Sequence, residues 1–303
     1  MPTITSNITR VSKAILTNIF AGLAPKAYMR YTHETGRGLQ EEGSGDITTY
    51  FFQCYEDYLR YLDLTDDSIK DYLNNKVLLE YGPGDLPGMA LIFYAKGANK
   101  VYCVDRFPLL SFSAFNSEAL QTIIDKLSPD EQQRAKNCFK EFGNPGSGLK
   151  PECIEYITHK KGLSQLDQAI DLIYSRAVLE HVNSLPETFQ DMYRALKPSG
   201  IALHKVDLKS HGLHQENPLD FLTWPDYLWN IMYCNKGVPN RYRIDKYRKV
   251  IGQTAFKIEL LEAVEECDEE TAQKIKPKLA KKFSDISIVD LKWLSFWMRV
   301  KKR

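Results

Sequence analysis

Short apolar runs and stretches of helical periodicity alternate through the middle of the chain. Residues 77–81 (Val-Leu-Leu-Glu-Tyr) form an apolar run closed by Gly-Pro-Gly, which predicts a strand running into a tight turn. Residues 89–96 predict a helix stopped by Gly97, and 101–105 a second strand. A helical excursion covers about 111–142 and closes in the turn-rich segment 143–148. Strands three and four are expected at 154–158 and 170–174. A helix at 185–196 closes in Lys197-Pro198-Ser199-Gly200, ahead of a fifth strand at 201–206. Two last strands, 256–261 and 294–300, read as an antiparallel pair. Strands separated by helices require right-handed crossovers, so the pattern predicts an α/β chain with a doubly wound, mostly parallel seven-stranded sheet.

The flanks differ. Residues 8–30 read as a helical arm ended near Pro25, followed by a Gly-rich polar break at 36–45. Tyr50, Phe51, Cys54, Tyr55, Tyr58, Leu59 and Leu62 then fall at helical spacing, the stripe of a helix packed on the sheet. Residues 213–250 are dense in aromatics: Phe221, Trp224, Tyr227, Trp229, Tyr233, Tyr242 and Tyr247. These line a substrate cover or pack as core, two readings that composition does not separate. The expected organisation is a helical arm or cover at 1–70 and an α/β domain at 71–303, with insertions at about 107–150 and 213–250.

Composition narrows the partners. With 303 residues the chain has ample length for a buried core. Its formal net charge of +1 lacks the basic footprint of a nucleic-acid binder. None of the six cysteines makes a Cys-x-x-Cys spacing, so neither a zinc clasp nor a redox pair is expected, and the thiols read as reduced and cytoplasmic. The apolar run 15–23 is shorter than the ~20 residues of a membrane span. The expectation is a soluble protein with no membrane partner and no bound metal.

In a parallel sheet, ligands bind beyond the carboxyl ends of the strands, and the informative residues lie there. Glu80-Tyr81-Gly82-Pro83-Gly84 puts a carboxylate just before a turn whose glycines let a ligand approach the main chain. Asp105 ends the second strand, at the distance expected of an acid that accepts both hydroxyls of a ribose. A dinucleotide fingerprint would put its third glycine at position 87, where Pro87 stands instead, lacking the N–H that helps hold a pyrophosphate.

Glu80-x-Gly82-x-Gly84 followed by Asp105 resembles the first two motifs of class I S-adenosylmethionine-dependent methyltransferases. The segment from Asp171 to Val182, with its Leu179-Glu180-His181, is similar to that family's segment after strand four. Met192 to Gly200 resembles its helix and turn before strand five. The resemblance spans residues 76–207 and implies a Rossmann-like domain with S-adenosylmethionine as cofactor. It places Glu80, Tyr81, Gly82, Pro83, Gly84, Asp105, Arg106, Ser175 and Arg176 around that cofactor. The sequence departs from the family at Leu86, where a third glycine often stands, and after strand three, where Thr158 or His159 takes the adenine-side position.

The resemblance further implies in-line transfer of a methyl group, with the protein supplying alignment. A hydroxyl acceptor also needs a base, for which His181 and His211 are the leading candidates, ahead of His204 and His214. The segment Ser175-Arg176-Ala177-Val178 lacks the Asn/Asp-Pro-Pro-Tyr/Phe mark of methylation at base or glutamine nitrogens. The expected substrate is a small molecule of secondary-metabolite type, methylated at a hydroxyl first and at an amine second. A nicotinamide-dependent oxidoreductase and a non-catalytic methyltransferase-like partner subunit are the competing readings.

Overall fold

The computed structural model describes residues 4–24, 27, 28, 31, 43–214, 216–236 and 238–303. Pro25 and most of the break expected at 36–45 lie outside the described residues, as do Gln215 and Gly237.

Among the described residues the strands form a seven-stranded sheet in the order β3-β2-β1-β4-β5-β7-β6. β1 (Val77–Tyr81) pairs in parallel with β2 (Lys100–Asp105) and β4 (Ile170–Arg176), β2 with β3 (Ile154–Thr158), and β4 with β5 (Leu196–Asp207). β6 (Phe256–Glu266) and β7 (Trp293–Lys302) complete the sheet, which is the Rossmann-like architecture expected. The chain reverses its winding between β1 and β4, so the crevice of a ligand site opens at their carboxyl ends.

The strands are longer than the apolar runs alone predict. β4 continues through Ser175 and Arg176, because both keep pairing with β5. The turn expected at 197–200 is drawn into β5: Ser199 takes φ 64°, and the β4–β5 register shifts between Ile170 and Leu172, so a bulge absorbs the Pro-Ser-Gly. The excursion at 111–142 resolves into α5 (Ala114–Asp125) and α6 (Pro129–Lys136). Ser113 starts the first by accepting from the Asn116 N–H, and Ser128 starts the second through a capping box with Glu131.

The chain groups into two compact units. The larger comprises Thr35–Val206, Lys249–Glu262 and Trp297–Arg303. In it α2 (Ser44–Leu62) and α3 (Asp66–Leu73) belong with the sheet, and the aromatic stripe of α2 is core. The Tyr58 ring lies 5.4 Å from Tyr174, 5.7 Å from Phe93 and 5.4 Å from Trp297. α4 (Gly88–Ala95) is buried along its whole length, and a Cβ at Gly88 would stand 2.6 Å from the Phe51 ring, so glycine lets α2 close on it.

The smaller unit comprises Met1–Glu34, Asp207–Arg248 and Ala263–Phe296. Its core gathers Ala14 of α1 (Ile4–Leu23), Phe221, Leu222 and Leu291, with Trp229, Met232 and Tyr233 of α8 (Asp226–Tyr233). Much of the aromatic segment is therefore packing: Phe221, Trp229, Tyr233 and Tyr247 are buried, whereas Tyr227 is 70% exposed. No helix among the described residues is long and apolar enough to cross a membrane.

Candidate active site

Alternation along β1 divides its last two residues between opposite faces. Glu80 is buried on the face covered by α2 and α4, where its Oε2 accepts from the Tyr174 hydroxyl at 3.1 Å and from the Cys103 thiol at 3.9 Å. Both partners are its register neighbours, Cys103 on β2 and Tyr174 on β4. Burial pushes its carboxyl up to about 8, against the pull of the hydrogen bonds it accepts, so at neutral pH the protonated form is substantially populated. Tyr81 turns to the other face and donates to Asp191 at 2.6 Å. Asp191 also accepts from the Ser164 and Gln165 N–H groups and from Arg194. The Tyr81 side chain is thus tied to α7 (Leu185–Ala195), and only its backbone remains for a ligand role.

The turn after β1 uses its glycines differently from each other. Gly82 takes φ 64° and Gly84 φ 71°, both in the left-handed region. The Gly82 N–H donates to the Val104 carbonyl at 2.8 Å, and a Cβ on it would meet Val178 Cγ2 at 2.4 Å. Pro83 and Gly84 are buried. Asn116 secures the far side, its amide donating to the Asp85 carbonyl and carboxylate and to the Ser111 carbonyl at 3.0–3.2 Å.

Asp105 meets this turn directly. Its carboxylate accepts from the Phe107 N–H at 3.1 Å and feels the nearby backbone N–H groups of Arg106 and Gly84, all of which favour its charged form. Burial still outweighs these bonds and raises its pKa above the ordinary carboxylate value. Arg106 reaches the Asn183 side chain at 2.6 Å and lies over the Phe107 ring. Next to Asp105 in register is Thr158, and the His159 N–H donates to the Asp105 carbonyl at 3.0 Å. The His159 ring is engaged by the Leu163 N–H and by Gln165.

At the end of β4 the side chains again alternate. Ser175 Oγ lies 2.7 Å from His204 Nδ1 within the core, and burial drives that imidazole down to about 3, too low for a base at neutral pH. Arg176 faces α2, paired with Asp57 at 2.6 Å and near the rings of Tyr50 and Trp297. Ala177 follows at φ 54°, a strained value for a residue with a side chain, and delivers Val178 against Gly82. His181 closes the short 3-10 turn Leu179–His181; its Nε2 lies 4.0 Å from Glu180 Oε1.

Glu80, Gly82, Pro83, Gly84, Asp105, Arg106, Ser175, Arg176 and His181 all belong to the larger unit. His211 belongs to the smaller one, with φ 51° and Nε2 3.8 Å from Asp207 Oδ2. Burial lowers its pKa, against the upward pull of Asp207. Sequence reasoning missed Asn116, Asp191 and Tyr174. Each is a polar residue on an otherwise apolar face, a signal that only the register and helix packing turn into a contact.

The arrangement fits the cofactor that the motifs imply. A carboxylate beside this turn at a strand end offers acceptors to a ribose diol, and the left-handed glycines add no side chains of their own there. The stretch 56–261, about two thirds of the chain, matches the family model described as a methyltransferase domain. The chain belongs to the class I methyltransferases that use S-adenosylmethionine.

No curated protein matches the chain by sequence. Solved structures similar to it include an S-adenosylmethionine-dependent methyltransferase from Mesorhizobium loti, 16% identical, covering 78% of this chain and 95% of that one at a TM-score of 0.42. One from Methanosarcina mazei is 15% identical, with coverages of 76% and 93% and a TM-score of 0.43. A phosphoethanolamine N-methyltransferase from Haemonchus contortus, in complex with phosphomonomethylethanolamine and S-adenosylhomocysteine, is 17% identical, with coverages of 76% and 49% and a TM-score of 0.41. These likenesses are distant, and no acceptor follows from them.

Proposed function

We propose that this methyltransferase acts on a hydroxyl oxygen of a small molecule, with His181 taking the hydroxyl proton. The carrying observation is the placing of Asp105, at the end of β2, beside the left-handed Gly82–Gly84 turn that follows the paired strand β1, which supports a ribose grip beside main chain. S-adenosylmethionine, when bound, supplies an activated methyl on a positively charged sulfur. Asp105 would hold the ribose hydroxyls, and the main chain of Gly82, Pro83 and Gly84 would flank the cofactor. His181 follows directly on the segment that presses Val178 against Gly82, and its Nε2 lies 4.0 Å from Oε1 of the buried Glu180. His204 is unsuited to the role because burial disfavours the imidazolium that proton uptake would create.

Calorimetric titration with S-adenosylmethionine and S-adenosylhomocysteine tests the first part. Asp105→Ala is expected to weaken both by about tenfold or more, the scale of a lost charged hydrogen bond. Labelled-methyl transfer to a panel of phenols, sugars and amines tests the second. Turnover of a hydroxyl acceptor that collapses in His181→Gln, with cofactor affinity retained, supports the base. Full turnover in that variant removes His181 from the role, with His211→Gln as the parallel variant. Transfer only to amines overturns the hydroxyl reading.

A further inference from the structure

α1 carries two apolar faces, and the structure of the smaller unit covers just one. Ala14, Asn18 and Ala21 are buried. Asn18 fixes that face to α8: its amide donates to the Ile231 carbonyl at 2.9 Å, and its oxygen accepts from the Asn235 N–H at 2.9 Å. The other face runs through Leu16, Ile19, Phe20 and Leu23, which are 68%, 50%, 39% and 82% exposed. Their spacing of three, four and seven residues is that of one continuous helical stripe. α8 extends the patch at the junction, since Ile231, whose carbonyl holds Asn18, is 50% exposed, and Tyr227 one turn earlier is 70% exposed.

An exposed apolar stripe of this length marks an interaction surface rather than scattered surface residues. Charge says which kind. The first acidic residue of the chain is Glu34, whereas Lys13, Lys26 and Arg30 precede it, as does Arg10, whose guanidinium donates to the Leu213 carbonyl on the covered face. Within α1 the exposed Lys13 sits seven residues before Phe20, on the same side as the stripe. A helix with an apolar stripe, cationic flanks and no acid is built to lie in the interface of a membrane that carries negative headgroups, its apolar residues entering the acyl boundary.

We propose that this face of α1, continued by Tyr227 and Ile231, docks the protein on anionic lipid surfaces. The association is peripheral and reversible, and it is independent of the methyl-transfer reading. It departs from the sequence-based expectation of no membrane partner, because apolar periodicity alone does not tell which of two helix faces is already covered.

Flotation of the full chain with vesicles of phosphatidylcholine, with and without phosphatidylglycerol, reads the effect. Binding is expected on the anionic vesicles and is expected to fall with added salt. The double variant Leu16→Asp/Leu23→Asp, both positions being exposed, should lose about tenfold or more of that binding while keeping its circular dichroism and melting temperature. Lys13→Glu should weaken it in the same direction. Equal binding of wild type and the double variant overturns the proposal. So does the absence of vesicle binding together with a dimer, seen by sedimentation, that the double variant abolishes; that result would assign the face to a second copy of the chain.

Discussion

The Tyr174 hydroxyl donates to the carboxyl of Glu80 at 3.1 Å inside the core, both residues being buried. Burial raises the Glu80 carboxyl from 4.5 to about 8. The sign of the stability effect follows. Below the ordinary value both folded and unfolded chains hold the proton, and nothing is lost. Between about 4.5 and about 8 the unfolded chain has released a proton that the folded chain keeps, so stability falls as pH rises through that window. The loss by the upper end is on the order of a few kcal/mol. Denaturant unfolding of the wild type and Glu80→Gln across this range should give curves that diverge with rising pH, the variant losing less. Parallel curves would place the Glu80 pKa in the ordinary carboxylate range.

His204 should behave oppositely. Its folded value lies at about 3, well below the 6.5 of an exposed imidazole, because burial excludes the charged form. Its contribution is therefore complete above the ordinary histidine value and is lost as pH falls from there toward about 3. Ring resonances of His204 followed by NMR should stay those of a neutral imidazole through mildly acid pH, with the Ser175 bond intact. A titration near the ordinary histidine value would return His204 to the list of candidate bases.

Much of this was legible in the sequence, for identifiable reasons. The strands β1, β2 and β3 are short apolar runs bounded by glycine or charge, and the period alone locates them. Glu80, Gly82, Gly84 and Asp105 stand out because carboxylates and glycines fall together where two consecutive strands end. What the sequence hides is direction. Tyr81 and Ser175 look like their neighbours Glu80 and Arg176, yet the pleat turns them away to Asp191 and His204. Asn116 is hidden more deeply, since its role depends on α5 returning beside Asp85 from across a long excursion. The aromatics of 213–250 had no readable assignment because a core and a pocket use the same residues.

The contact between Gly82 and Val178 yields a double-variant test. Gly82→Ala puts a Cβ 2.4 Å from a Val178 methyl and also forces a left-handed residue, which costs roughly 1–2 kcal/mol by itself. Val178→Ala in the same chain relieves the clash and leaves the backbone strain. The pair should therefore be more stable than the two single losses added together, while cofactor affinity stays reduced. Strict additivity in chemical unfolding would mean that the turn moves away from Val178 without cost.

Tyr81 separates a supporting side chain from a binding one. Its hydroxyl is fully engaged with Asp191, which keeps three further donors when that bond is removed. Tyr81→Phe preserves the ring in its buried place and leaves no orphaned charge, so the expected cost is about 1 kcal/mol of stability. Asp191→Ala should cost more, because it strands the Tyr81 hydroxyl together with the Ser164 N–H in the core. Neither side chain points to the face where Glu80 lies, so Tyr81→Phe should bind S-adenosylmethionine as the wild type does. Calorimetry decides between the roles: an affinity loss in Tyr81→Phe comparable to that in Asp105→Ala would show that the hydroxyl leaves Asp191 for the cofactor, and the resting network would then be one of two alternatives held by the same residue.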